Sequence, residues 1–139
     1  MTASAGAQSR VGNAWLVLII AALAMVSGAI HLSLGAPMFI LNAIGYFVLT
    51  AALLAMTFVD HPLARRFAWA PRVALVGYTA ASIVAWWLIG GRYDLAYLTK
   101  GIELSLIGLL VADILHLYGS PMGLLRAVGG SLRGAPARG

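Results

Sequence analysis

Residues 14–59 read AWLVLIIAALAMVSGAIHLSLGAPMFILNAIGYFVLTAALLAMTFV, without a single Asp, Glu, Lys or Arg. Two apolar runs, 14–34 and 38–59, flank the short link Gly35-Ala36-Pro37. A helix rises ~1.5 Å per residue and needs ~20 apolar residues to cross a ~30 Å hydrocarbon core, so each run is long enough to span a bilayer. Gly35 suits the left-handed residue that ends one helix, and Pro37 suits the first turn of the next. The stretch therefore reads as a hairpin of two membrane helices.

Two further runs, 71–90 and 95–118, take up most of what remains of the 139 residues. Hydrophobic residues make up 62% of the chain and charged ones 9%, against ~25% charged in a typical soluble domain. A soluble four-helix bundle carries a charged outward stripe on every helix, and none of these runs has one. The expected fold is all-α: an integral membrane four-helix bundle with short loops and antiparallel up-down order. Around the four-helix domain at 14–118, residues 1–13 read as a flexible polar lead. Residues 119–139 read as an interfacial turn, near Met122–Val128, followed by a flexible basic tail. Arg10 ahead of the first run has the look of a signal peptide, but the run is too long for one and no small-x-small site closes it. It is kept as the first span.

Orientation follows from basic residues in short loops. Arg10, Arg65, Arg66, Arg72, Arg126, Arg133 and Arg138 fall on one side, and Arg92 and Lys100 on the other. This distribution predicts a multi-pass protein of the cell membrane, in bacterial terms the inner membrane, with both termini cytoplasmic. Trp86, Trp87, Tyr93 and Tyr97 gather at the opposite, outer boundary as an interfacial belt. The formal charge of +5 is largely this topology signal. No basic helix or domain is available to hold nucleic acid, and none is expected as a partner.

In lipid, helices associate through small residues that let backbones approach. The first run carries Ala21, Ala24, Gly28 and His31 on one seam, and the fourth carries Gly101, Ser105, Gly108 and Ala112 on another. The third run offers Ala74, Tyr78, Ala81, Ser82 and Ala85. At ~100° per residue, Glu103 lies almost opposite the Gly101–Ala112 seam. The fourth helix thus has two faces that both call for protein contact. Self-association or a second membrane subunit would satisfy both.

An ionisable residue within a membrane helix is a candidate functional group, because burying its charge in lipid is costly. With alternating helix directions, His31, Asn42, Lys100 and Glu103 come to similar depth near the outer face. Lys100 and Glu103 pair at i, i+3, and His31 and Asn42 are placed to hydrogen-bond across helices. A second group, Asp60, His61, Asp113 and His116, lies near the inner face, with Asp113 and His116 as a local pair. His31 and His116 fall near opposite faces, so they cannot ligate one haem within the chain. His31 and Glu103 alone are too few for a metal site. Without cysteine, thiolate zinc and Fe–S centres are excluded. No hydrolase elbow, P-loop, dinucleotide fingerprint or zincin motif occurs, so no catalytic residues are assigned and the chain does not read as an enzyme.

Three functions fit these features. The first is an accessory or scaffold subunit of a larger respiratory, photosynthetic or transport complex, docking through the fourth helix. The second is a homo-oligomeric transporter or channel for protons or a small solute, using His31, Asn42, Glu103 and Lys100. The third is an intramembrane protein that binds lipid or a cofactor. No cofactor is predicted outright, though a lipid or quinone contact at the outer cluster fits its chemistry.

Overall fold

A computed structural model describes the backbone of residues 2–134 and the side chains of residues 14–134. Among the described residues all regular structure is helical: α1 (Thr2–Ser33), α2 (Pro37–Phe58), α3 (Pro62–Arg66), α4 (Trp69–Ile89), α5 (Asp94–Tyr118) and α6 (Pro121–Leu132). Four are long and apolar enough to cross a membrane, at Ala14–Ser33, Pro37–Phe58, Trp69–Ile89 and Asp94–Tyr118. These bounds lie within about two residues of the sequence reading, because the same punctuation decides both. Gly35 adopts a φ of 72° after α1, and Pro37 opens α2. His61 caps α3 by accepting from the Leu63 N–H, Gly90 ends α4, and Gly119 ends α5 at a φ of 75°.

Helices extend beyond the four spans at both ends of the described residues. The polar lead is helical from Thr2, so α1 starts twelve residues before its apolar part. Residues 2–13 contain no proline and include Ala3, Ala5 and Ala7, which favour a helix, against Gly6 and Gly12, which weaken it. After α5, a single interfacial turn was expected, and a twelve-residue helix, α6, stands there instead. Ser120 caps it, accepting from the Gly123 N–H at 3.0 Å. Ser131 then ties it back to the end of α3 and the start of α4: its hydroxyl accepts from Trp69 Nε1 at 3.0 Å, and its carbonyl accepts from the Arg66 guanidinium. Residues 135–139 of the expected flexible tail lie outside the described residues.

Each long helix packs on two others. α1 meets α2 and α5, and α4 also meets α2 and α5. Val17, Ile20 and Ala24 of α1, Leu53 of α2, Leu75 of α4, and Leu106 and Leu110 of α5 form the apolar centre, all fully buried. The α1 seam is part of this contact: Ala21, Ala24, Gly28 and His31 are all buried. A Cβ at Gly28 would stand 2.6 Å from the Phe47 ring, so glycine there is what lets α1 and α2 approach.

The polarity of the bundle is the reverse of a water-soluble one. Trp15, Ile19, Leu41, Val48, Trp87, Leu98 and Leu104 face outward, while Arg72, Lys100, Glu103 and Asp113 are buried. An apolar exterior around an ionic interior is stable only where the surroundings are themselves apolar. The architecture is that of a multi-pass membrane protein.

Candidate functional site

Glu103 sits in the first half of α5 with no exposed surface, and all four long helices supply it with a neighbour. Its Oε1 accepts from Ser27 Oγ of α1 at 3.2 Å, Tyr46 OH of α2 at 3.0 Å and Ser82 Oγ of α4 at 3.1 Å. Its Oε2 accepts from Lys100 Nζ, one helical turn earlier, at 2.5 Å. Four donors thus reach the carboxylate, three crowded on Oε1 and one on Oε2. A buried charge held this way is far cheaper than a bare one, because each donor replaces part of the lost hydration.

The donors are themselves held in place. Ser82 Oγ, while donating to Glu103, accepts from Lys100 Nζ at 3.0 Å and from Asn42 Nδ2 at 3.3 Å. Tyr78 donates to the Asn42 carbonyl at 3.1 Å and stands edge-on to Tyr46, with ring centroids 5.3 Å apart. Gly45 makes room for this, since any Cβ there would collide with the Tyr78 hydroxyl. His31 Nδ1 bonds the Ser27 carbonyl at 2.8 Å, and its Nε2 lies 3.7 Å from Glu103 Oε1. The expected group of His31, Asn42, Lys100 and Glu103 is therefore one connected centre.

Ser27 and Tyr46 complete that centre and were not singled out from the sequence. A serine in an apolar helix usually bonds its own backbone, and a lone tyrosine resembles packing. The available signal was spacing: Ser27 precedes His31 by one turn, and Tyr46 follows Asn42 by one turn.

A pocket of about 420 Å³ opens beside this centre, at the end of the bundle that carries the α1–α2 and α4–α5 turns. His31, Asn42, Ser82 and Lys100 are among its polar lining; Met38, Phe39, Trp86 and Ile89 are among its apolar walls. Arg92, beyond the α4 end, stacks over the Trp86 ring at 4.3 Å. Volumes of 300–1,000 Å³ with mainly apolar walls and a few convergent polar groups are typical of small-molecule sites.

The second expected group does not assemble. Asp113 pairs with Arg72 rather than with His116: Arg72 Nε donates to Asp113 Oδ2 at 2.6 Å, and both side chains are buried. Arg72 also donates to the Ala68 carbonyl at 2.7 Å and to Thr57 Oγ1 at 3.3 Å. His116 is exposed, although its i, i+3 spacing puts it on the same side of α5 as Asp113. Asp60 is exposed and bonds Arg65 at 2.9 Å, and His61 is spent on capping α3. Arg72 had been counted as a loop-flanking charge, yet it is 2% exposed.

The small-residue faces divide. On α5, Gly101, Ser105, Gly108 and Ala112 are exposed, and a Cβ at Gly101 or Gly108 would meet nothing within 4 Å. Glu103 and its neighbours take the inner face instead. On α4 Arg72, Leu75 and Thr79 are buried, Ala81 and Ala85 line the pocket, and Ala74 is exposed. Among the described residues no three of His, Asp and Glu converge as a metal ligand set. No family model, curated protein or solved structure matches this chain.

Proposed function

We propose that this protein sits in the cell membrane and binds a membrane-soluble amphipathic molecule, with its polar end at the Glu103 centre and its chain along the apolar walls. The observation that carries this reading is the pocket itself: polar groups from all four long helices converge at one side of a largely apolar cavity. Alternating helix directions and cytoplasmic termini belong to the same proposal. With the buried Arg72 and Lys100 removed from the basic count, Arg10, Arg65, Arg66, Arg126, Arg133 and Arg138 stand against Arg92 alone. The pocket then opens toward the outer face.

A permanently open channel is less well supported. Leu53, Leu75, Leu106 and Leu110, all fully buried, lie between the Glu103 centre and the Arg72–Asp113 pair along their own helices. This leucine layer, with the buried hydroxyls of Thr50 and Thr79 beside it, separates the two polar centres.

The reading is tested by mass spectrometry of small molecules carried by the chain extracted in mild detergent. An amphiphile present in the native protein and lost in Ala85→Phe, which fills the pocket without touching Glu103, supports it. Identical small-molecule content in both proteins opposes it.

A second reading, an accessory or scaffold subunit, is favoured by the exposed Gly101–Ala112 seam. Small residues on a lipid-facing side let another helix approach closely. The two readings are compatible, since the seam and the pocket occupy different sides of α5.

A further inference from the structure

The charges around the pocket narrow the class of ligand. Its ionisable lining residues are His31, Lys100, Tyr78 and Tyr93, with no Asp or Glu among them. Glu103 lies behind Lys100 and Ser82, fully buried and outside the lining. Lys100 is already paired with Glu103, and outside the lining the exposed Arg92 and Asp94 offset each other near the mouth. His31 is therefore the lining group whose charge decides which head the pocket takes.

His31 supplies the second argument. A carbonyl oxygen only accepts, so the 2.8 Å bond to the Ser27 carbonyl requires the hydrogen on Nδ1. In a neutral ring, Nε2 then presents a lone pair toward Glu103 Oε1, 3.7 Å away. Two acceptors facing each other in a dry site repel, whereas a proton on Nε2 makes the contact attractive. The other groups facing His31 do not change this balance. α2 offers Tyr46 and Phe39, α5 offers Glu103 with Lys100 bound to it, and α4 reaches the same carboxylate through Ser82.

The charge count follows. Lys100 and Glu103 neutralise each other, so a protonated His31 leaves the centre with one net positive charge. A buried site is most stable when neutral, and one anion in the pocket makes it so. We propose that the pocket takes a single-chain amphiphile with an anionic head, and that the head binds together with one proton, drawn from solution, on His31 Nε2. This rests on the ligand-binding reading above and specifies its substrate class.

The test uses the full chain in nanodiscs of zwitterionic lipid, with nanodiscs of Ala85→Phe as the background. Three probes separate the possibilities: decyl sulfonate, whose head stays ionised throughout; decanol, with the same chain and no charge; and methanesulfonate, the head alone. Calorimetry in two buffers of different ionisation enthalpy counts protons taken up on binding. Decyl sulfonate is expected to bind with uptake approaching one proton, and to bind more weakly as the pH rises. His31→Gln should abolish the uptake and flatten the pH dependence; should that variant fail to fold, proton uptake by the native chain decides alone. Equal binding of decanol, or binding without proton uptake, overturns the anion-and-proton proposal and leaves the pocket reading standing. Methanesulfonate binding as tightly as decyl sulfonate overturns the amphiphile. Binding of none of the three removes both the proposal and the reading beneath it.

Discussion

Tyr46 donates to Glu103 Oε1 across 3.0 Å, joining α2 to α5, two helices that otherwise make little direct contact in the bundle. The centre thus links helices through a carboxylate rather than through apolar packing alone. Removing the phenolic hydroxyl should weaken this link without opening the fold. Tyr46→Phe deletes one of four donors to a charged group, and a loss of about 1.5–3 kcal/mol is expected. Thermal unfolding of the detergent-solubilised variant reads it directly.

Glu103→Gln should be worse than Tyr46→Phe. It leaves Lys100 Nζ, now bound at 2.5 Å, as a buried cation without its counter-charge. Breaking one side of a buried pair costs about 3–5 kcal/mol. Adding Lys100→Met to Glu103→Gln should recover a substantial part of that loss. Equal melting of the single and double variants would show that Lys100 does not depend on Glu103.

Arg72 and Asp113 form the other buried pair, and the same cycle applies at the opposite end of the bundle. Arg72→Leu alone should destabilise by about 3–5 kcal/mol, and Arg72→Leu with Asp113→Leu by much less. His116→Ala, at an exposed position, should leave stability within about 0.5 kcal/mol of the native chain. A coupling between Asp113 and His116 larger than that between Asp113 and Arg72 would overturn the assignment of partners.

Glycine substitutions separate the inner from the outer faces. Gly45→Ala forces Tyr78 off its place against α2, and an overpacking loss of about 1–3 kcal/mol is expected. Gly108→Ala meets no neighbour and should leave the chain as stable or gain up to ~1 kcal/mol. Gly108→Leu is the informative change for the scaffold reading. Association through the seam, measured by cross-linking in the membrane, should fall in Gly108→Leu while unfolding stays unchanged.

The sequence carried the spans and the first polar centre for one reason: short turns leave little freedom in depth. Gly35-Ala36-Pro37 and Gly90-Gly91-Arg92-Tyr93 place His31 beside Asn42 and Ser82 beside Lys100 with little freedom to slide. Helix rotation was harder to read. On α4 the side carrying Ala74, Tyr78, Ala81, Ser82 and Ala85 suggested close packing, but Ala81 and Ala85 line the pocket, Ala74 is exposed, and the fully packed side is Arg72, Leu75 and Thr79. Arg72 itself was misplaced because an arginine in the first turn of a span also serves as an orientation anchor. The Asp113–His116 spacing suited a pair, yet a guanidinium on a facing helix is the stronger partner in a dry site.

The central claim is that the pocket beside Glu103 holds an alkyl chain, and photolabelling in native membranes tests it most directly. A ten-carbon sulfonate carrying a diazirine near its head is irradiated with the full chain, and the labelled residues are mapped. Labelling concentrated on pocket residues such as Met38, Phe39, Ala85 and Trp86, and lost in Ala85→Phe, is the expected result. Labelling spread evenly over outward residues such as Trp15, Val48 and Leu104, and unchanged in Ala85→Phe, would contradict the account.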